Sequence, residues 1–190
     1  MTFQPNQAQF TVGVLTQGAT AQDAAQQNAT LATAVQNAIK SALGANGTIQ
    51  TISYSVTPRY NNAPTPAIVG YTASNTVLVT TYNLANIGGL VDTATQAGAN
   101  NVGGVSFGLQ NPDPFIQQAL SAAAKQALSR AAAIAAGLGG TAGKVVSAVQ
   151  GSSFTPVTVS GTAAGAGDTT PIQNGSVSVS ATVTVVVQLQ

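Results

Sequence analysis

Alternating apolar residues predict β-strands near both ends of the chain. Residues 9–17, QFTVGVLTQ, place apolar side chains at every second position of their central part, the spacing at which side chains share one face of a strand. In residues 175–190 every second residue from Val177 to Leu189 is apolar, and Ser or Thr fills most of the positions between them. The closing stretch is the clearest strand pattern in the sequence.

Two central segments predict a long hairpin. Residues 48–60, TIQTISYSVTPRY, and residues 68–82, IVGYTASNTVLVTTY, are rich in the β-branched and aromatic residues that favour strands. The stretch NNAPTP between them is rich in turn-forming residues. Residues 143–150, GKVVSAVQ, predict one further strand.

Residues 20–44 predict the first long helix. Its apolar stripe recurs at helical spacing and consists of Leu31, Val35, Ile39 and Leu43. Thr20 followed by Asp23 three residues later is typical of a capping box. Gly44 is placed for the C-terminal cap.

A weaker helix is predicted over residues 84–98. Its apolar side consists of Leu84, Ile87, Val91 and Ala94. Gly88 and Gly89 in its middle each cost roughly 1 kcal/mol relative to Ala, so this helix needs packing to form.

A glycine-rich stretch, AGANNVGGVSFGLQNPDPF at residues 97–115, follows this helix. Within it, residues 100–109 predict a short strand that places Val105, Phe107 and Leu109 on one face. We therefore interpret the glycines as breaks between elements rather than as a phosphate-binding loop.

The second long helix is predicted from the stretch NPDP onward, over residues 113–137. Asp113 is expected to cap it, and Pro114 to occupy the first helical position. One side of this helix is apolar and consists of Ile116, Leu120, Ala123, Ala127, Ala131 and Ile134. So much Ala on one side indicates close packing against a neighbouring backbone.

The resulting element order is β-α-β-β-α-β-α-β-loop-β. This order predicts an α+β fold in which two long helices and one short helix pack on mixed or antiparallel sheets. We expect a single domain over residues 1–190, with a low-complexity excursion at residues 151–174 that a compact domain does not need.

Charged residues are scarce, and this changes the expected partners. They make up 5% of the chain, against roughly 25% in a typical domain, and there is no Glu. A chain with so little electrostatic repulsion between copies favours association with itself. Without a basic stripe, neither nucleic acid nor an anionic membrane surface is an expected partner.

The sequence also bears on where the protein acts. No apolar run approaches the ~18 residues of a membrane span, and MTFQPNQAQF at the N-terminus has no signal-peptide pattern, so we expect no direct membrane anchor and no signal peptide in this chain. A surface rich in Thr, Asn and Gln favours an extracytoplasmic location. Glycosylation sequons occur at Asn28, Asn46 and Asn174, as they do by chance in such a composition.

Most catalytic and metal chemistry is excluded by composition. With no His and no Cys, the usual zinc sites, disulfides and Ser-His or Cys-His nucleophiles are absent, and we predict neither cofactor nor metal. Of the four Asp, Asp23 and Asp113 are interpreted as helix caps, and Asp92 and Asp168 as solvated. LGGTAGKV at residues 138–145 lacks the first glycine and the Ser or Thr of a P-loop, and it follows a helix instead of a strand.

Three weaker candidates remain. Ser121 and Lys125 lie one helical turn apart, but Lys125 falls on the polar side, so a catalytic dyad is disfavoured against solvated surface. Arg130 lies near the edge of the apolar stripe and is interpreted as a structural tether or an interface anchor. Four tyrosines lie on the hairpin and are interpreted as cross-strand packing, namely Tyr54, Tyr60, Tyr71 and Tyr82.

The ordered set of segments resembles the SIMPL-domain family of bacterial envelope proteins, sometimes described as periplasmic immunogenic or oxidative-stress-defence proteins. The resemblance is carried by FTVGVLTQGATAQDAAQQNATL, GYTASNTVLVT, AGANNVGGVSFGL, AAAIAAGLGGTAGKVVSAVQ and VSVSATVTVVVQL. It implies an exported α+β domain with no established catalytic centre, and assembly of some members into large hollow homo-oligomers. Here Gln, Ala, Thr and Ser replace the charged residues that members of the family tend to carry on their helices.

These observations favour a non-enzymatic structural protein that assembles with copies of itself into a ring, cage or filament. We expect the contacts in the terminal strands, the hairpin near residues 60–66 and the excursion at residues 151–174. The alternative is an envelope module linked to stress defence that binds a small apolar or peptide ligand between the sheet and the Ala-rich helix. An enzyme is the least supported class.

Overall fold

The computed structural model describes residues 1–151, 157–158, 172 and 174–190. Its backbone contacts divide the described residues into two compact units. The first, called the sheet unit, is Pro5–Gly108, with Ile172 packed against its core. The second, called the ribbon unit, comprises Met1–Gln4, residues 109–151 and 157–158, and Ser176–Gln190.

The elements follow one another in an order close to the predicted one. The strands are β1 (Thr2–Phe3), β2 (Gln7–Gly18), β3 (Gly47–Tyr60), β4 (Ile68–Thr81), β5 (Asn101–Val102), β6 (Ser106–Gly108), β7 (Ala142–Gln150), β8 (Val157–Thr158), β9 (Val177–Ser178) and β10 (Val183–Leu189). The helices are α1 (Ala21–Leu43), α2 (Ile87–Gln96), which follows a 3-10 turn at Leu84–Asn86, and α3 (Asp113–Gly137). Every strand pair is antiparallel, and the predicted α+β class is confirmed.

The sheet unit contains a sheet with the strand order β3-β4-β2-β5, in which β6 also pairs with β2. The predicted hairpin is confirmed as β3 and β4, which pair along nearly their whole length. Helices α1 and α2 cover one face of the sheet. Their apolar sides and the inward-facing residues of β2 and β4 form the core, in which the largest fully buried side chains include Phe10, Ile39 and Ile87.

A buried amide fastens α1 to the two central strands. Asn28 has no solvent exposure, and its Nδ2 donates to the backbone oxygens of Val14 in β2 at 2.7 Å and Ala73 in β4 at 3.1 Å. Nearby, Thr16 Oγ1 donates to the Ala24 oxygen at 2.8 Å. The Asn28 amide on α1 thus donates to two strand carbonyls, and the Ala24 carbonyl on α1 accepts a bond from a strand side chain. Together these bonds favour one position of the helix on the sheet.

The ends of α1 follow the predicted capping. Thr20 is the N-cap, and its side chain accepts a hydrogen bond from the Asp23 backbone N–H at 3.1 Å. Gly44 at the C-cap has a φ of 54°, a conformation that only glycine adopts without strain.

Two predictions for residues 84–109 need correction. Gly88 and Gly89 lie in the first turn of α2, not in its middle, so they interrupt fewer helical hydrogen bonds. The single strand predicted over residues 100–109 is broken into β5 and β6, because Gly103 turns the chain against Thr11. A Cβ on Gly103 would come within 2.0 Å of Thr11 Oγ1.

The ribbon unit is built from α3, a two-stranded sheet of β7 and β10, and a small sheet in the order β1-β9-β8. The strand predicted at residues 143–150 is confirmed as β7. The closing strand is instead split into β9 and β10 by residues 179–182. The first of these two strands pairs with β1, which the sequence analysis did not predict.

Helix α3 packs against β10 and β7, and it differs from its prediction at both ends. Pro112 is the N-cap, and Asp113 and Pro114 are the first two helical residues, so the carboxylate lies beside the helix N-terminus instead of capping it. Ile134, predicted to be buried, is 64% exposed, while Ala119 and Ala135 are buried.

Much of the predicted excursion at residues 151–174 lies outside the described residues, and so does Asp168. The expectation of one domain over residues 1–190 stays a prediction.

We expect Asn28→Ala to lower the free energy of unfolding by about 2–4 kcal/mol, because two buried strand carbonyls lose their donor. Urea denaturation at one fixed protein concentration measures this. Gln27→Ala is the control on the exposed side of the same helix, and its expected effect is within about 0.5 kcal/mol. Equal stability of the two variants would contradict the role of the Asn28 amide.

We expect Gly47→Ala to destabilise the hairpin, because a Cβ there would lie 2.1 Å from the backbone oxygen of Thr80, which cannot move without breaking the β3–β4 pairing. The expected loss is about 2 kcal/mol or more, read from the thermal or urea midpoint. Gly104→Ala is the matched control, since nothing lies within 4 Å of its added Cβ. A Gly47→Ala protein as stable as the Gly104→Ala protein would refute the clash.

Candidate functional surfaces

The three acidic residues that the structure describes lie on three different helices. Asp23 is in the first turn of α1 and Asp113 in the first turn of α3. Asp92 lies within α2. Across the described ranges no three His, Cys, Asp or Glu side chains come together as metal ligands. Nothing in the described part of the chain therefore marks a metal centre.

The P-loop-like stretch has the wrong geometry for binding phosphate. Leu138 ends α3, Gly139 has a φ of 79°, and β7 begins at Ala142. The order is thus helix, turn and strand, so no helix N-terminus points at the loop in the way a phosphate site requires.

The remaining chemical candidates lie on the outside of α3. Ser121 and Lys125 are both exposed. Arg130 is also exposed, and it lines a recess of about 170 Å³ with Ala127 and Val183. No hydrogen bond joins Arg130 to another described residue, so the predicted tether has no observed partner within that part of the chain.

The hairpin tyrosines do not form a stacking platform. Tyr54, Tyr60 and Tyr82 are 55%, 58% and 37% exposed, and Tyr71 is half-buried opposite Pro58. Within the described residues the one aromatic ring pair is Phe3 with Phe115 in the ribbon unit, with ring centroids 4.7 Å apart and planes inclined by 64°.

The ribbon unit exposes a large apolar surface instead. Strands β7 and β10 form a two-stranded ribbon that extends from the pair Thr141 and Gln190 to the pair Gly151 and Thr182. Five large apolar side chains of this ribbon are 49–62% exposed, namely Val145, Val146, Val149, Val186 and Leu189. Leu138, in the turn before the ribbon, is 70% exposed. Lys144 is the one ionisable side chain within the two strands.

The two faces of this ribbon differ. Val183, Val185 and Val187 are half-buried on the side that faces α3. Val149 lies opposite Thr184 and Val186 opposite Ser147, and all four side chains are exposed. In addition, neither strand pairs on its outer side with any other described strand. The ribbon therefore exposes Val149 and Val186 beside Thr184 and Ser147, and no described strand pairs with either of its backbone edges.

Two grooves adjoin α3. One of about 240 Å³ lies at its C-terminal end and is lined by Ile134, Leu138 and Leu189 among others. The other, of about 460 Å³, lies between the middle of α3 and residues 179–181, and it is more polar and wide open. Both place small or apolar side chains around an open cleft.

The sheet unit exposes a second surface, along the outer strand of the hairpin. Residues 50–55 of β3 are all exposed, including Ile52 at 51% and Tyr54 at 55%. Beyond Tyr71, which pairs with the last residue of β2, the hairpin projects as two strands alone. Ile68 and Val69 in this projection are 51% and 55% exposed.

The contact segments predicted from the sequence match these surfaces only in part. The terminal strand was predicted as a contact, but the hairpin contact was expected near residues 60–66, whereas the second surface lies at residues 50–55 and at Ile68 and Val69. That these segments form contacts stays a prediction. Alternation in sequence was interpreted as burial of one face. A strand at the edge of a sheet can show the same alternation even where no helix covers its inward-facing side chains. The pattern alone therefore does not reveal which of these side chains are exposed.

No described helix is long and apolar enough to cross a membrane. The sequence profile of the SIMPL family, described as "Protein of unknown function (DUF541)", matches residues 1–187.

Similar proteins are named for their location or remain uncharacterised. Two proteins named "26 kDa periplasmic immunogenic protein", from Brucella melitensis and Brucella abortus, are each 32% identical to the chain over 152 residues, which is 77% of this chain and 61% of the relative. "Uncharacterized protein YggE" of Edwardsiella ictaluri is 36% identical over 78 residues, 41% of this chain and 33% of that protein. The chain thus spans less than two thirds of the length of these relatives.

Proposed function

The chain belongs to the SIMPL family, and from that premise we propose that it is a non-enzymatic structural protein that assembles with copies of itself into a large homo-oligomer outside the cytoplasm. A ring, a cage and a filament all fit this proposal.

The exposed ribbon of β7 and β10 is the observation that carries the proposal. Several large apolar side chains exposed on one element favour association with another chain. The ribbon also leaves backbone N–H and C=O groups of two strands without partners from the described residues, and such groups pair readily with another chain. Contact between copies of the ribbon would bury the apolar side chains and pair the backbone groups at the same time.

The scarcity of charge supports the same conclusion. The formal net charge is +1 for 190 residues, and only Lys144 falls within the ribbon strands. Burying an ionised side chain in an interface is costly unless it is paired. A ribbon with a single lysine, and no charge on β10, avoids nearly all of that cost.

The extracytoplasmic location rests on the relatives. Two Brucella proteins similar over 77% of this chain carry the word periplasmic in their names. The Thr-, Asn- and Gln-rich surface that the sequence analysis interpreted as extracytoplasmic fits that location.

The second candidate is a binding module for a small apolar or peptide ligand. The groove of about 240 Å³ at the end of α3 favours it, because Ile134, Leu138 and Leu189 offer a mainly apolar lining. The groove is smaller than the ~300–1,000 Å³ of most ligand pockets and lies beside the ribbon. A ligand that raises the melting temperature without any change in particle size would favour this candidate over assembly.

We expect the purified protein at micromolar concentration to form particles of many subunits, seen by electron microscopy and by native mass spectrometry. A single peak at the monomer mass would reject the proposal.

We expect the double variant Val149→Lys and Val186→Lys to raise the concentration needed for half-assembly by at least about tenfold, which corresponds to about 1.4 kcal/mol per contact. Both positions lie on the exposed side of the ribbon, so the monomer keeps its fold and its circular dichroism spectrum. Light scattering across a dilution series measures the change.

The matched control is Thr33→Lys with Asn37→Lys, which adds the same two charges to the exposed side of α1. It separates a local contact from a general effect of net charge. If the control disrupts assembly as strongly as the ribbon variant, the ribbon is not the contact surface.

A further inference from the structure

The two edges of the sheet in the sheet unit are built differently. On one side β2 pairs only with β5 and β6, which are 2 and 3 residues long. Short edge strands of this kind are a common protection against pairing with other chains. On the other side β3 is an edge strand of 14 residues, and no described strand pairs with its outer side.

Strand β3 carries a bulge, a proline and one charged side chain, which are other common protections, but none of them lies at residues 54–57. Arg59 is its one charged side chain, and Pro58 beside it lies close to the strand's end. The Arg59 guanidinium donates a hydrogen bond to Gln17 in β2, so it is directed back across the sheet and not off the edge. The residues between the bulge at Thr51–Ser53 and Pro58 therefore form a regular, uncharged edge.

The side chains along this edge have no role in the core of their own unit. Ile52 and Tyr54 are 51% and 55% exposed, and Val56 is half-buried. Helix α1 buries Val35, Ile39 and Leu43 against the sheet but leaves residues 50–55 of β3 uncovered. Apolar side chains exposed beside unpaired backbone groups are the features of a surface for strand addition.

We propose that two copies of this chain pair their β3 strands antiparallel, about a two-fold axis at Tyr54, and so join their sheets into one. This inference rests on the proposed function, because it names one of the contacts within the assembly.

The exposed apolar and aromatic side chains around Tyr54 suit a second copy of the same strand as the occupant. In an antiparallel pair centred on residue 54, Tyr54 faces Tyr54 of the second copy, and Ile52 faces Val56 of the second copy on each side of the axis. Apolar and aromatic cross-strand pairs of this kind stabilise a sheet. An interface in which residue i meets j and j meets i is the arrangement that two-fold symmetry requires.

Charge is compatible with this register. Arg59 lies five positions from Tyr54, which places the two arginines about ten positions apart, or about 33 Å at ~3.3 Å per residue. That separation exceeds the ~8 Å Debye length at physiological salt several times over, so the two cations do not repel each other appreciably.

The natural absence of cysteine makes the register testable by disulfide trapping. The single variant Tyr54→Cys is expected to form a disulfide-linked dimer under mild oxidation, because the two-fold axis places residue 54 of one copy beside residue 54 of the other. Ile52→Cys alone and Val56→Cys alone are expected to stay monomeric on non-reducing gels, while the double variant Ile52→Cys with Val56→Cys cross-links. Thr33→Cys on the exposed side of α1 is the control for random collision.

Cross-linking of Tyr54→Cys no faster than that of Thr33→Cys would overturn the proposal. A maximum at another residue of β3, or efficient cross-linking of Ile52→Cys alone, would overturn it as well, since neither fits an antiparallel pair centred on Tyr54.

A charge substitution distinguishes this inference from the proposed function. Tyr54→Lys is expected to keep the circular dichroism spectrum and to raise the concentration for half-assembly at least about tenfold. If the unaltered protein is a monomer, the proposed function and this inference both fail. If it assembles, and Tyr54→Lys assembles equally well without cross-linking at residue 54, only the β3 pairing fails.

Discussion

The sheet unit depends on the antiparallel pairing of β2 with β4 and on the position of α1 across those two strands. The pairing runs from Ala8 opposite Thr81 to Gly18 opposite Tyr71, so the two strands form the centre of the sheet. The Asn28 amide bonds to a carbonyl on each strand and thereby couples helix and sheet in one register. A shift of either strand by one residue would turn its apolar side chains to the opposite face and remove these acceptors from the amide.

The sequence predicted best the features whose hydrogen bonds join residues close together in the chain. Thr20 caps α1 as expected because the cap bond spans only three residues. The break between β9 and β10 was missed because the alternation of Val continues across it. Val177 and Val179 are fully buried in the ribbon unit, whereas Val185 is only half-buried on the side toward α3, so one uninterrupted pattern serves two packing environments.

The sequence predicted that the terminal strand and the hairpin form strands, but it did not predict which of their side chains are exposed. Exposure of Ile52 and Tyr54 depends on the place of β3 at the edge of the sheet, and strand order is a property of long-range pairing. Ile134 was assigned to the buried side of α3 by its helical angle. It is exposed in the structure, and Ala135 is the buried residue at that turn instead.

The two surfaces differ in what each contributes to an assembly. A two-fold pairing of β3 with β3 of a second copy uses the same edge on both copies. This contact alone therefore gives a dimer and nothing larger. Growth beyond a dimer would require a second, independent surface, and the ribbon of β7 and β10 in the other compact unit is the one that we propose. Whether a ring, a cage or a filament results then depends on whether the ribbon contact closes after a fixed number of copies, because a contact that does not close continues without limit.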